Sequence, residues 1–194
     1  MTHFTKVYSL LLSYLFITTT LFAASTQAGV NNYTKTAYFA GGCFWGVEYY
    51  MEKLEGVGEV DSGYMGGRTK NPTYRDVSYK KTGHFEVVRV KYDPSITNYE
   101  TVARRFFEIH NPTQGNGQGP DIGEQYKSAV FYNDISEKET AEKLISLLKK
   151  IGYSVKTIVR PADTFYIAEE YHQDYYTRHR KSPYCHSYVK RFDK

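Results

Sequence analysis

The chain of 194 residues has only two cysteines, one tryptophan and three methionines, and little surplus charge of either sign. Its formal net charge is +4, and +3 once residues 1–28, which hold Lys6 and no acid, are set aside. That balance is too mild to imply nucleic-acid binding. The candidate metal ligands His179, Cys185 and His186 are too few and too irregularly spaced for a zinc site. No apolar run beyond residue 28 is long enough to span a bilayer. No internal repeat or linker divides the chain. The run Gly115-x-Gly117-x-Gly119 follows a helix-like segment rather than a strand, so it lacks the context of a phosphate-binding loop.

Residues 1–28 read as a secretory signal peptide. One cation precedes an uncharged apolar stretch, Val7 to Ala24, and small residues follow, with cleavage after Ser25 or Ala28. An uncleaved membrane anchor is the alternative. The rest, residues 29–194, is expected to be a single domain, monomeric and exported to the periplasm or medium, where disulfides persist. Cys43 and Cys185, 142 positions apart, are then either a structural staple or an attacking thiol and its partner. The load of 20 Tyr and 11 Phe suits core packing and half-exposed strand faces, with some left to line a site.

Strand and helix patterns alternate. Strands are expected at 36–40, 57–64, 85–92, 128–132 and 154–160. Helical spacing begins at Phe44 and continues through Val47, Met51 and Leu54 to Gly56. Capping boxes at Thr97-x-x-Glu100 and Ser136-x-x-Glu139 announce two more helices. The second closes at Gly152, and a last helix is expected over 168–178. The simplest result is an α+β domain: a mixed sheet with helices packed on it.

Cys43 carries the strongest chemical signal. It stands in Gly41-Gly42-Cys43-Phe44-Trp45-Gly46, between a strand and a helix start. The free N–H groups and dipole at that end favour thiolate, and the glycines should leave the sulfur open. Phe44 and Trp45 can wall an apolar pocket around it. Glu86, among Phe85, Val87 and Val88, is a candidate half-buried acid whose pKa desolvation would raise. Tyr74, Tyr126 and Asp121 lie on loops where they can face a ligand, and His172 reads as structural.

These motifs resemble the A-type peptide methionine sulfoxide reductases. Gly42-Cys43-Phe44-Trp45-Gly46 is similar to that family's signature. Gly63-Tyr64-Met65-Gly66-Gly67, Gly83-His84-Phe85-Glu86, the run Gln118 to Ser128 and Tyr171-His172-Gln173-Asp174-Tyr175 follow in matching order. The resemblance implies a two-layer α/β sandwich with a split β-α-β (ferredoxin-like) core. It implies reduction of the S epimer of methionine sulfoxide in oxidised proteins or peptides, with no metal or organic cofactor. Cys43 resembles the nucleophile and Glu86 the acid that protonates the sulfoxide oxygen. Tyr74 and Tyr126 resemble the hydroxyls that hold that oxygen, and Asp121 a helper through water. Phe44 and Trp45 resemble the walls of the methyl pocket. Cys185 resembles the resolving thiol, which a thioredoxin-like dithiol would regenerate. Two departures stand out: no glycine precedes Cys185, and Phe85 replaces a small residue. A cysteine hydrolase, with His84 or His172 as base, and an exported Tyr-rich binding module with a structural disulfide are the rival readings.

Overall fold

The computed structural model describes residues 32–192. The chain divides into two units, Met1–Val30 and Asn31–Lys194. The signal-peptide expectation for 1–28 lies outside the described residues.

The chain order is β1 (Lys35–Gly41), α1 (Phe44–Met51), β2 (Val57–Met65), α2 (Tyr74–Tyr79), β3 (Phe85–Tyr92), α3 (Tyr99–Ile109), β4 (Gly117–Gln118), β5 (Asp121–Ile122), β6 (Ser128–Tyr132), α4 (Ile135–Lys150), β7 (Ile158–Pro161), β8 (Tyr166–Ile167) and α5 (Tyr175–Arg178). Six strands form one sheet in the order β7-β6-β1-β3-β2-β8, and β4 with β5 makes a small separate hairpin. Both β1 and β2 run antiparallel to β3, so they are parallel to each other with β3 inserted between them. With α1 as crossover this is a split β-α-β unit. The parallel β6–β7 pair makes the sheet mixed, as expected.

Side-chain alternation sorts the two faces of the sheet. From β1 and β3, Ala37, Phe39, Val88 and Val90 face the helix layer, where they join Val47, Met51, Val102, Phe106, Leu144 and Leu148 in the main core. Ala40, Phe85 and Val87 point the other way and pack with Met65, Ala129 and Phe131. Glu86 shares the face of Val88 and is therefore aimed beneath α1, into the helix layer. Phe85 packs edge-on against Phe131 on the opposite face, so it does not shape the surroundings of Glu86.

Several boundaries differ from the sequence expectation. Helix α1 ends at Met51, and Gly56, with φ +83°, belongs to the turn beyond it. The caps of α3 and α4 are Asn98 and Asp134, whose side chains accept from the N–H groups of Thr101 and Glu137. Each outcompetes the expected hydroxyl cap at Thr97 or Ser136 by sitting where its oxygen reaches the third residue of the helix. At the far end of α4, Gly152 N–H donates to Lys149 O and Tyr153 N–H to Leu148 O, a Schellman closure. The strand expected over 154–160 is shorter and shifted, Ile158–Pro161. The continuous helix expected over 168–178 does not form. Asp174 takes φ +52° and splits the segment into a 3-10 turn, Glu170–His172, and the single-turn α5. The unexpected α2 begins at Tyr74, with Thr73 and Asp76 making a reciprocal capping box.

Candidate active site

The site lies where β1 ends and α1 begins. Gly42 turns the chain with φ +100°, and a side chain there would collide with Gln118. Gln118 is in turn held by Asn111, whose N–H donates to Oε1 at 3.1 Å and whose carbonyl accepts from Nε2 at 3.3 Å. The glycine-rich segment is thus an ordered brace behind Cys43.

Cys43 is the N-cap residue of α1. The first N–H group of the helix is used chemically: Phe44 N–H donates to Glu86 Oε2 at 3.1 Å, next to the Cys43 thiol. One helix end therefore holds the thiol and the carboxyl together. Glu86 is 2% exposed. Burial, then the nearby Cys43 and Asp121, hold its pKa well above the ordinary carboxylate range, against the Phe44 hydrogen bond. The half-buried acid expected from the sequence is in fact completely enclosed, because its strand has helices on that face.

The expectation of an open thiolate is corrected. Cys43 is only 8% exposed, and Cys185 lies against it. A side-chain hydrogen bond to Cys185 and burial raise the Cys43 pKa, outweighing the lowering by Trp45 N–H. The resting thiol is protonated. Both cysteines are free thiols.

Tyr126 closes the other side. Burial and the nearby Glu86, Tyr74, Cys43 and Asp121 raise its pKa, so its phenol keeps its hydrogen. Tyr74, the first residue of α2 rather than a loop residue, is positioned by its backbone: its N–H donates to Glu169 Oε1 at 2.8 Å. The second oxygen of Glu169 accepts from Tyr64 Oη at 3.0 Å. Asp121 accepts from Tyr184 Oη at 3.1 and 3.3 Å. Strand, helix, hairpin and C-terminal segment thus bring Cys43, Glu86, Tyr74, Tyr126, Asp121 and Cys185 to one place.

Phe44 is buried, tilted against Tyr64 with ring centroids 5.8 Å apart. Trp45 is half-buried and stacked on Tyr175 at 3.6 Å. Between them sits His172, read from sequence as merely structural. Its Nδ1 accepts from Trp45 Nε1–H at 3.0 Å, and its ring lies 5.0 Å from Phe44 and 4.7 Å from Tyr74. Burial lowers the His172 pKa, so the neutral ring that accepts from Trp45 is the stable form. It orients the aromatic wall. The motif Tyr171-His172-Gln173-Asp174-Tyr175 was visible, but only the tertiary contact reveals its use. Glu169 and Tyr64 also belong to the site and were missed, and His186 lies behind it, against Cys185 and the Gly41 carbonyl. Among the described residues no group of three His, Cys, Asp or Glu is arranged to hold a metal. A cleft of about 460 Å³ lies to one side, lined by Arg68, Lys80, Lys81, His84 and Gln125, and contains none of the expected site residues.

The hydrolase reading needs an imidazole at Cys43. His84 is engaged with Gly67 N–H and the Thr69 carbonyl, and His172 with Trp45. Neither is placed as its base. Two thiols in contact, next to a carboxyl kept neutral by burial, define a thiol-based oxidoreductase site.

The comparisons give the family. Its profile, peptide methionine sulfoxide reductase, matches residues 35–194. The chain is 46% identical over 156 residues to peptide methionine sulfoxide reductase MsrA 1 of Rhodopirellula baltica, covering 80% of this chain and 81% of that one. Reduced Mxr1 of Saccharomyces cerevisiae superposes with TM-score 0.72 at 32% identity, over 78% of this chain and 88% of that one. Mxr1 in complex with Trx2 aligns with TM-score 0.53 at 25% identity, over 79% and 88%. This chain belongs to the peptide methionine sulfoxide reductase family and is an oxidoreductase.

Proposed function

We propose that the protein repairs oxidised proteins by returning the S epimer of methionine sulfoxide to methionine, through Cys43. The observation that carries this reading is the protonated Glu86 held by Phe44 N–H beside Cys43. A sulfoxide sulfur is a poor electrophile until its oxygen receives a proton. Glu86 donates that proton, and the phenols of Tyr74 and Tyr126 share the charge developing on oxygen. Asp121 assists through water. Phe44 and Trp45 receive the terminal methyl group.

The arriving substrate separates Cys185 from Cys43 and so removes the largest effect that keeps the attacking thiol protonated. Oxygen passes from the substrate sulfur to Cys43, giving methionine and a sulfenic acid. Cys185 then condenses with that sulfenic acid to a disulfide, releasing water. A thioredoxin-like dithiol regenerates both thiols; the Mxr1–Trx2 complex supports this choice of donor. We place the reaction in an exported compartment, reached by cleavage of a signal at 1–28, which the mass of the mature protein would test.

The deciding experiment offers a methionine sulfoxide peptide as each diastereomer to the wild type and to Cys185→Ser. The expected result is turnover of the S epimer alone, with one equivalent of methionine and no dithiol-driven recycling in the variant. Equal use of both epimers overturns the specificity, and unchanged multiple turnover by Cys185→Ser overturns the resolving role.

A further inference from the structure

His186 follows the second thiol and is buried, although the tail around it is exposed. Its Nε2 lies 2.7 Å from the Gly41 carbonyl oxygen, which can only accept, so Nε2 carries the ring hydrogen. Nδ1 of the neutral ring is then a bare lone pair, and it lies 3.1 Å from the Cys185 sulfur. The imidazole rests on the first turn of α1. A Cβ at Gly46 would come within 2.2 Å of Nδ1, and one at Gly42 within 3.4 Å of Cε1. Gly46 is therefore the seat of this ring, and no other residue type leaves the space. In the resting state two hydrogens line up in one direction, Cys185 to His186 and His186 to the Gly41 carbonyl, two residues before Cys43, whose thiol lies beside Cys185.

We propose that His186 is the general base of the resolving step, an assignment that rests on the reductase reading above. Nδ1 takes the proton of Cys185. The resulting thiolate attacks the Cys43 sulfenic sulfur, an S–S bond forms, and the S–O bond breaks. The Cys185 sulfur is oxidised and the Cys43 sulfur is reduced. The departing hydroxide takes the proton from His186 and leaves as water. The imidazolium exists only while its counter-ion, the thiolate, is beside it, which is how a buried and otherwise neutral ring can act. The other titratable groups that act on this ring are Asp121 on β5, which favours its protonation, and His110 at the end of α3, which is itself neutral through burial. Burial lowers the His186 pKa to about 4, so Nδ1 stays free to accept across the neutral range.

The test is a single turnover without dithiol, reading methionine, trapped sulfenic acid and intact-mass disulfide separately, with the fluorescence of Trp45, the only tryptophan, as a continuous signal. In His186→Asn and His186→Ala, disulfide formation should slow by about 10²–10³-fold and sulfenic acid should accumulate, the range for a lost general base, while methionine release falls by no more than about threefold. Wild-type disulfide formation should be flat between about pH 6 and 8. In the variants it should rise about tenfold per pH unit, because the thiol must then ionise unaided. Disulfide formation at the wild-type rate in both variants overturns the proposal. So does slowing without a change in pH slope, which would mean His186 only props the tail. A wild-type rate that itself climbs tenfold per unit overturns it without any variant. Absence of methionine from the wild type would instead sink the reductase reading, and this step with it.

Discussion

The two thiols occupy opposite kinds of structure. Cys43 is fixed by regular elements: a central strand before it, a helix start on it, and a neighbouring strand that delivers Glu86. Cys185 lies in coil, held by side-chain contacts through Tyr184 to Asp121 and through His186 to Gly41. The contrast suits the tasks proposed for them. Oxygen transfer needs donors already aimed before charge develops, which backbone N–H groups in a packed core provide. In the proposed cycle Cys185 must leave when substrate arrives and return afterwards, which a segment held by a few contacts can do.

The sharpest break of this contrast is at Cys43. Replacing it with Ser should abolish methionine formation, single turnover included, while Cys185 remains in place; any retained turnover measured by methionine release would refute the assignment. Glu86→Gln should lower the rate of the chemical step by about 10²–10⁴-fold with little change in KM, the mark of a lost proton donor. The same variant should gain stability over the wild type as pH rises. A carboxyl with a raised folded pKa contributes fully below its unfolded value near 4.5 and loses that contribution as pH climbs toward the folded value. Denaturant titrations at several pH values would read this, and a variant that loses ground with rising pH would contradict it.

Gly46→Ala addresses the coil half. The new methyl meets His186 Nδ1, so the tail must shift, at a cost of about 1–3 kcal/mol typical of overpacking. Disulfide formation should suffer more than methionine release, and comparison of the two rates checks it. The smallest effect on catalysis is expected at Glu48, buried on the inner face of α1, where burial, with the Glu52 charge adding to it and the Asp174 backbone opposing it, raises the pKa to about 8. Glu48→Gln should gain about 3 kcal/mol of stability on the wild type between pH 4 and pH 7, since the raised pKa costs stability only above the unfolded value near 4.5. Thermal melts at the two pH values suffice.

Legibility followed the same divide. The strand Phe85–Tyr92 and the strand–Gly–Gly–Cys–helix turn could be read because each follows from local periodicity and turn chemistry. So could the apolar stripe of α4, although its last member, Ile151, is exposed. The segment from Glu169 to His186 could not. Its backbone depends on Asp174 in a left-handed conformation and on contacts more than a hundred residues away, such as Trp45 with His172 and Gly41 with His186. Helix caps failed by one or two residues, because Asn and Asp side chains compete with hydroxyls for the same N–H groups.

By itself the sequence determined the order of elements, the thiol at a helix start and the carboxyl on a central strand, since these depend on residues close together along the chain. Only the tertiary structure decided the protonation of the site. Burial under the helix layer, the approach of Cys185 and the seating of His186 on Gly46 set which groups keep their hydrogens, because desolvation and neighbouring charge depend on everything packed nearby.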